Sequence, residues 1–175
     1  MIYKGVFQGC FPIDMNTDRC LQLASRLGFD GLEMVMEDEA PLLPEALNAC
    51  IEEILAIGRS VGVAQVREGA LTVDSSPSEV QHLNERASSY GIRVHSVASV
   101  LLFYYPLSSP VAVVRDKGID VVVKMIQAAS VFGASTVLVI PGLVTASEGY
   151  REAYDRSQAV IRDLATEASR LDVVL

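Results

Sequence analysis

A chain of 175 residues is long enough for one domain, 1–175, with a hydrophobic core of its own. Its three cysteines, Cys10, Cys20 and Cys50, show neither a CxxC nor a Cys/His spacing, which argues against a disulfide framework or a zinc knuckle and for a reducing cytoplasm. A net charge of -8, with 14 scattered Lys and Arg residues, argues against nucleic-acid binding, and no apolar run suits a signal peptide or a membrane span.

Ile2 to Phe11 is expected as a first strand, with Gly5 and Gly9 allowing close approach near its ends and Pro12 stopping it. Asn16, Thr17 and Asp18 offer N-cap chemistry for a helix whose apolar positions Cys20, Leu21, Leu23, Ala24 and Leu27 follow helical spacing until Gly28. Leu32 to Met36 is a second short strand, and the default for such a βαβ unit is a right-handed crossover between parallel strands.

From 37 to 76 the pattern is irregular, and this stretch is expected as an insertion relative to a minimal βα unit. Within it Glu45 to Val61 reads as an amphipathic helix outside the sheet, and Val63 to Val73 as a short hairpin or an irregular loop. Ser76, Pro77 and Glu79 then predict a capping box opening the next helix.

The stretch IRVHSVASV from Ile92 to Val100 is the centre of the reading. Its alternating first half predicts a third strand with His95 at its carboxyl end, and Ser96, Ala98 and Ser99 leave room for a ligand where the strand opens into a loop. A hydrogen-bonded core histidine is the competing interpretation. A long helix from Pro110 to Phe132 is stopped by Gly133 and followed by Ser135 to Ile140, an apolar strand of the type buried on both faces. Pro141 and Gly142 turn the chain toward a helix from Tyr150 to Leu171, and Asp172 to Leu175 has the pattern of a strand just begun.

This is a βα repeat with neither GxGxxG nor GxxxxGK[ST], which favours a (β/α) barrel over a doubly wound nucleotide-binding sheet. An eight-stranded barrel needs at least about 200 residues, so the expected fold is a partial TIM barrel of about four βα units.

The segments YKGVFQGCFP, LASRLGFDGLEMVM, YGIRVHSVASVLLFYYPLSSP and AASVFGASTVLVIPGLV resemble the N-terminal portion of the sugar-phosphate isomerase and epimerase family with the xylose isomerase-like barrel. Together they cover most of the chain outside 37–76. The resemblance implies proton transfer next to the carbonyl of a sugar or sugar phosphate, assisted by Mn²⁺ or Mg²⁺ in the full-length protein. The family's metal ligands, two Glu, an Asp and a His, come from strands five to eight, so no metal is expected in this chain alone. It also implies that Phe7, Glu33, His95 and Pro141 with Gly142 line the mouth of the barrel as substrate-side residues, with Ser99 at the strand end beside them. For each a plainer role stays open: core packing for Phe7, a solvated or ion-paired carboxylate for Glu33, a turn for Pro141 and Gly142. Tyr104 and Tyr105 either cover a sugar or pack on the adjoining helix.

Two further classes compete with the isomerase half. A half barrel that self-associates or binds a partner is one, because the open sheet would expose Val6, Val94, Val137 and Val139. A DNA-repair nuclease of the same fold is the other, and the acidic balance with only His82 and His95 works against it.

Overall fold

The computed structural model describes residues 3–38, 66–142, 144 and 149–175. In chain order it contains β1 (Gly5–Phe7), α1 (Thr17–Arg26), β2 (Gly31–Glu37), β3 (Leu71–Thr72), α2 (Pro77–Ser89), β4 (Arg93–Ala98), α3 (Ala112–Phe132), β5 (Thr136–Leu138) and α4 (Tyr150–Ser169). The predicted helix from Glu45 to Val61 lies outside the described residues.

All strand pairs are parallel, in the order β1-β2-β4-β5, and Val174 bridges in parallel to Thr136 as the next strand begins. Apart from β3, each strand lies beside the next one along the chain. A doubly wound sheet reverses its strand order at a switch point, whereas a barrel adds strands in sequence, so this is the curved wall of an α/β barrel over about four βα units.

Local signals account for the helix ends. Asn16 caps α1 by accepting from the Arg19 N–H, and Ser76 and Glu79 form the reciprocal capping box of α2 with Pro77 in the first turn. Gly133 ends α3 in the left-handed region at φ 67°, where a side chain would be strained.

The core lies between one sheet face and the helices. Leu32, Met34 and Met36 from β2, Val94 and Val97 from β4 and Val137 from β5 are buried with Leu21, Leu83, Val122, Met125 and Ile126 of the helices. Val94 and Val137 are therefore helix-side core residues and not the exposed inward positions expected of them. The face turned from the helices carries Leu138, 51% exposed, and Val174, 63% exposed. The apolar run Ser135 to Ile140 was expected to be buried on both faces, yet β5 shows only Val137 buried between exposed Thr136 and Leu138.

Two further expectations are corrected. The first strand is three residues long, because the chain turns into a 3₁₀ turn over Gln8–Cys10. The Gln8 side chain replaces the missing strand backbone, its Oε1 accepting from Val35 N–H at 2.9 Å. In the described part of the 37–76 stretch, β3 is neither a hairpin nor a loop. It is a two-residue strand pairing Leu71 with Met36 and Thr72 with Glu37, at the end of β2 that β4 leaves free.

Candidate site on the inner sheet face

The register puts Phe7 beside Glu33 and Glu33 beside Ser96, with Thr136 next in the row. This row lies on the face away from the helices, the face a closed barrel encloses. Phe7 and Glu33 are half-buried. The Phe7 ring folds back over Gly9, where any added Cβ would collide with it, so that glycine makes room for the aromatic surface at the mouth.

A β-bulge builds the rest. Leu32 pairs with Val94 but Glu33 with Ser96, leaving His95 as the extra residue of β4. Val94 and Val97 both enter the core, so His95 and Ser96 are turned together to the inner face. There the Ser96 hydroxyl donates to Glu33 Oε1 at 2.9 Å and lies 2.9 Å from His95 Nδ1.

His95 sits lower than the sequence suggested. It is the third residue of β4, and its ring lies over Gly5 at the start of β1, with the Tyr3 ring edge-on at a centroid distance of 6.1 Å. This is the amino half of the sheet and not its carboxyl end, where barrel sites are built. Its Nε2 is buried with no hydrogen-bond partner among the described residues. Burial lowers the imidazole pKa below the ordinary 6.5, with Arg93 adding to the effect and the Glu33 charge opposing it.

The other predicted residues are elsewhere. Ser99 is buried at the end of β4, where its hydroxyl donates to the Met36 carbonyl at 2.8 Å and accepts from Leu101 N–H at 3.2 Å. That stitches β4 to β2. Pro141 is exposed, and Gly142 packs on Ser108 of the loop after β4, where a Cβ would not fit. Tyr104 and Tyr105 are buried in the helix-side core, and burial pushes the Tyr105 phenol up to about 12.

Sequence reasoning missed Glu37 and Arg67. Both are buried at the carboxyl end of β2 in a two-point ion pair, and Arg67 also donates to the carbonyls of Pro12 and Phe11. Burial pushes the Glu37 carboxyl up, against the pull of the Arg67 N–H and guanidinium. Gln8, 1% exposed, has a buried Nε2 without a partner among the described residues. No motif spacing marks these residues, because their partners lie about thirty or more positions away.

Among the described residues no group of three or more His, Cys, Asp or Glu side chains could hold a metal ion, so their donor set does not fit the divalent cation implied by the sequence resemblance. No helix among them is long and apolar enough to cross a membrane.

The family model for the xylose isomerase-like TIM barrel matches residues 21–175. No curated protein matches the chain. Among solved structures, an L-ribulose 3-epimerase superposes with a TM-score of 0.62 at 19% identity, covering 100% of this chain and 48% of that one. A D-allulose 3-epimerase from Methylomonas sp. gives 0.64 at 16% identity, covering 98% and 49%, and a putative xylose isomerase from Rhodospirillum rubrum gives 0.65 at 13%, covering 99% and 52%. The chain spans about half the length of these structures.

Proposed function

The chain belongs to the xylose isomerase-like TIM barrel family, and from that premise we propose that it is the N-terminal half of a sugar or sugar-phosphate isomerase or epimerase. The observation that carries this reading is the pairing of Phe7 and Glu33 on the inner face. An aromatic ring offers an apolar surface to the C–H side of a sugar, while a neighbouring carboxylate accepts its hydroxyl protons. This half binds and orients the carbohydrate. Proton transfer beside a ketose carbonyl, and the divalent ion that would polarise that carbonyl, require groups from the barrel strands that follow β5.

The test is a ¹H,¹⁵N spectrum of the purified chain titrated with D-fructose, and separately with a ketose phosphate. Saturable shifts at Phe7, Gly9 and Glu33 are expected. A spectrum unchanged by every ketose would overturn the reading. The second reading, a non-catalytic half barrel that pairs with itself, is favoured by exposed Leu138 and Val174 on the same face.

A further inference from the structure

We infer that His95 is a positioning residue for Glu33, acting through Ser96, and not a group that touches the ligand. The proton count of the chain of hydrogen bonds sets its direction. The single Ser96 hydroxyl proton goes to Glu33 Oε1, so the same oxygen can only accept from His95, whose Nδ1 must carry a hydrogen. A neutral imidazole protonated at Nδ1 has a bare lone pair at Nε2.

That lone pair is out of a ligand's reach. A Cβ on Gly5 would lie 2.6 Å from Nε2, so the backbone of β1 closes over it, and Tyr3 flanks the ring. An imidazolium would aim a second N–H at Gly5, with no acceptor there among the described residues. His95 is therefore held neutral and in one tautomer, and its work is done at Nδ1.

The bulge is what makes this possible, since it places two consecutive side chains of β4 on one face. The chain of bonds ends on Glu33 Oε1; the other oxygen of this half-buried carboxylate meets no donor among the described residues, and Phe7 is the cross-strand neighbour of Glu33. One oxygen is fixed from behind and the other is presented to the inner face. The identity of the ligand rests on the carbohydrate reading above; the relay does not.

The experiment labels histidine with ¹⁵N and reads the ring nitrogens of His95 in the ligand-free chain between about pH 6.5 and 8. A protonated Nδ1 and an unprotonated Nε2 are expected, and Ser96→Ala should turn this into a mixture of tautomers. Ketose affinity supplies the second readout. His95→Ala should weaken it about tenfold, roughly the upper value of one neutral hydrogen bond, while His95→Asn, whose amide N–H can take the place of Nδ1–H, should restore it to within about twofold. An Nε2-protonated His95 in the unaltered chain overturns the inference and leaves the carbohydrate reading standing, as does equal loss in the Asn and Ala variants. A chain with the expected tautomer but no response to any ketose removes the carbohydrate reading and the positioning role with it.

Discussion

Arg67 returns to the carboxyl end of β2 and closes on Glu37 at two points, its backbone N–H 2.7 Å from Oε2 and its Nε 2.9 Å from Oε1. Both side chains are buried, so two charges have left water and the pair must recover that cost through geometry. The same guanidinium reaches the carbonyls of Pro12 and Phe11, tying the loop after β1, the end of β2 and the segment that leads to β3 into one corner.

Removing one partner should therefore be worse than removing both. Arg67→Ala is expected to cost about 3–5 kcal/mol by leaving a buried carboxylate unpaired. The double variant Glu37→Leu with Arg67→Met should lose less than that single change. Urea unfolding of the three chains measures it, and a double variant weaker than Arg67→Ala would show that the pair itself stabilises the corner.

Helix ends were legible because their signals are local. Ser76, Pro77 and Glu79 fall within four residues, and Gly133 needs only its own positive φ. The barrel class was legible too, from the repeat of strand and helix without a phosphate loop. The inner face was harder to read. The bulge at His95 depends on how β4 pairs with β2, and the Gln8 amide replaces a strand that a plain apolar pattern would have continued. Alternation along β4 read without the bulge keeps Val94 on the helix side but sends Ser96 there with it and turns Val97 to the inner face.

Gly5 gives a second test of the inner face. Gly5→Ala would push a methyl against His95 Nε2, and an overpacked site of this kind is expected to cost about 1–3 kcal/mol. Gly91→Ala is the control, since its Cβ meets open space and only its φ of 71° resists a side chain, at about 1–2 kcal/mol. The two are separated by the His95 ring signals, which should move in the Gly5 variant alone. Unmoved signals there would mean that the ring does not rest on β1.

The lowered pKa of His95 sets a pH dependence with a definite sign. Because the folded value lies below the ordinary 6.5, the unfolded chain takes up the proton first as pH falls. The stability contribution is complete above that ordinary value and is lost as pH drops through the lowered folded pKa. The thermal midpoint should fall from about pH 7 to 5, and fall less in His95→Asn, which has no titrating ring. Parallel curves for the two chains would refute this assignment.

An open inner face should also show itself in solution. We propose that the 175-residue chain self-associates through the face bearing Leu138 and Val174, since exposed apolar side chains beside a strand edge that is unpaired among the described residues, here that of Val174, favour pairing. Leu138→Lys with Val174→Lys places two like charges there and should weaken association at least about tenfold, at the roughly 1.4 kcal/mol that each tenfold represents. Light scattering across a dilution series reads this directly. A monodisperse monomer in the unaltered chain would sink the proposal.

Metal binding is the last property on which the described residues bear. Of the two carboxylates of β2, Glu37 is committed to Arg67 and one oxygen of Glu33 to Ser96, and His95 presents no accessible nitrogen. A hard divalent cation takes about six oxygen ligands, and one held by a single half-buried carboxylate and water gains little over free solution. The purified chain should therefore carry no stoichiometric Mn²⁺ or Mg²⁺ after dialysis and should not epimerise or isomerise a ketose. Glu33→Gln should leave metal content unchanged while weakening ketose binding, as the proposed carbohydrate reading requires of that carboxylate. Metal analysis beside a ketose turnover assay checks both halves of the argument. One tightly held ion per chain, lost on Glu33→Gln, would make Glu33 a metal ligand with its partners outside the described residues.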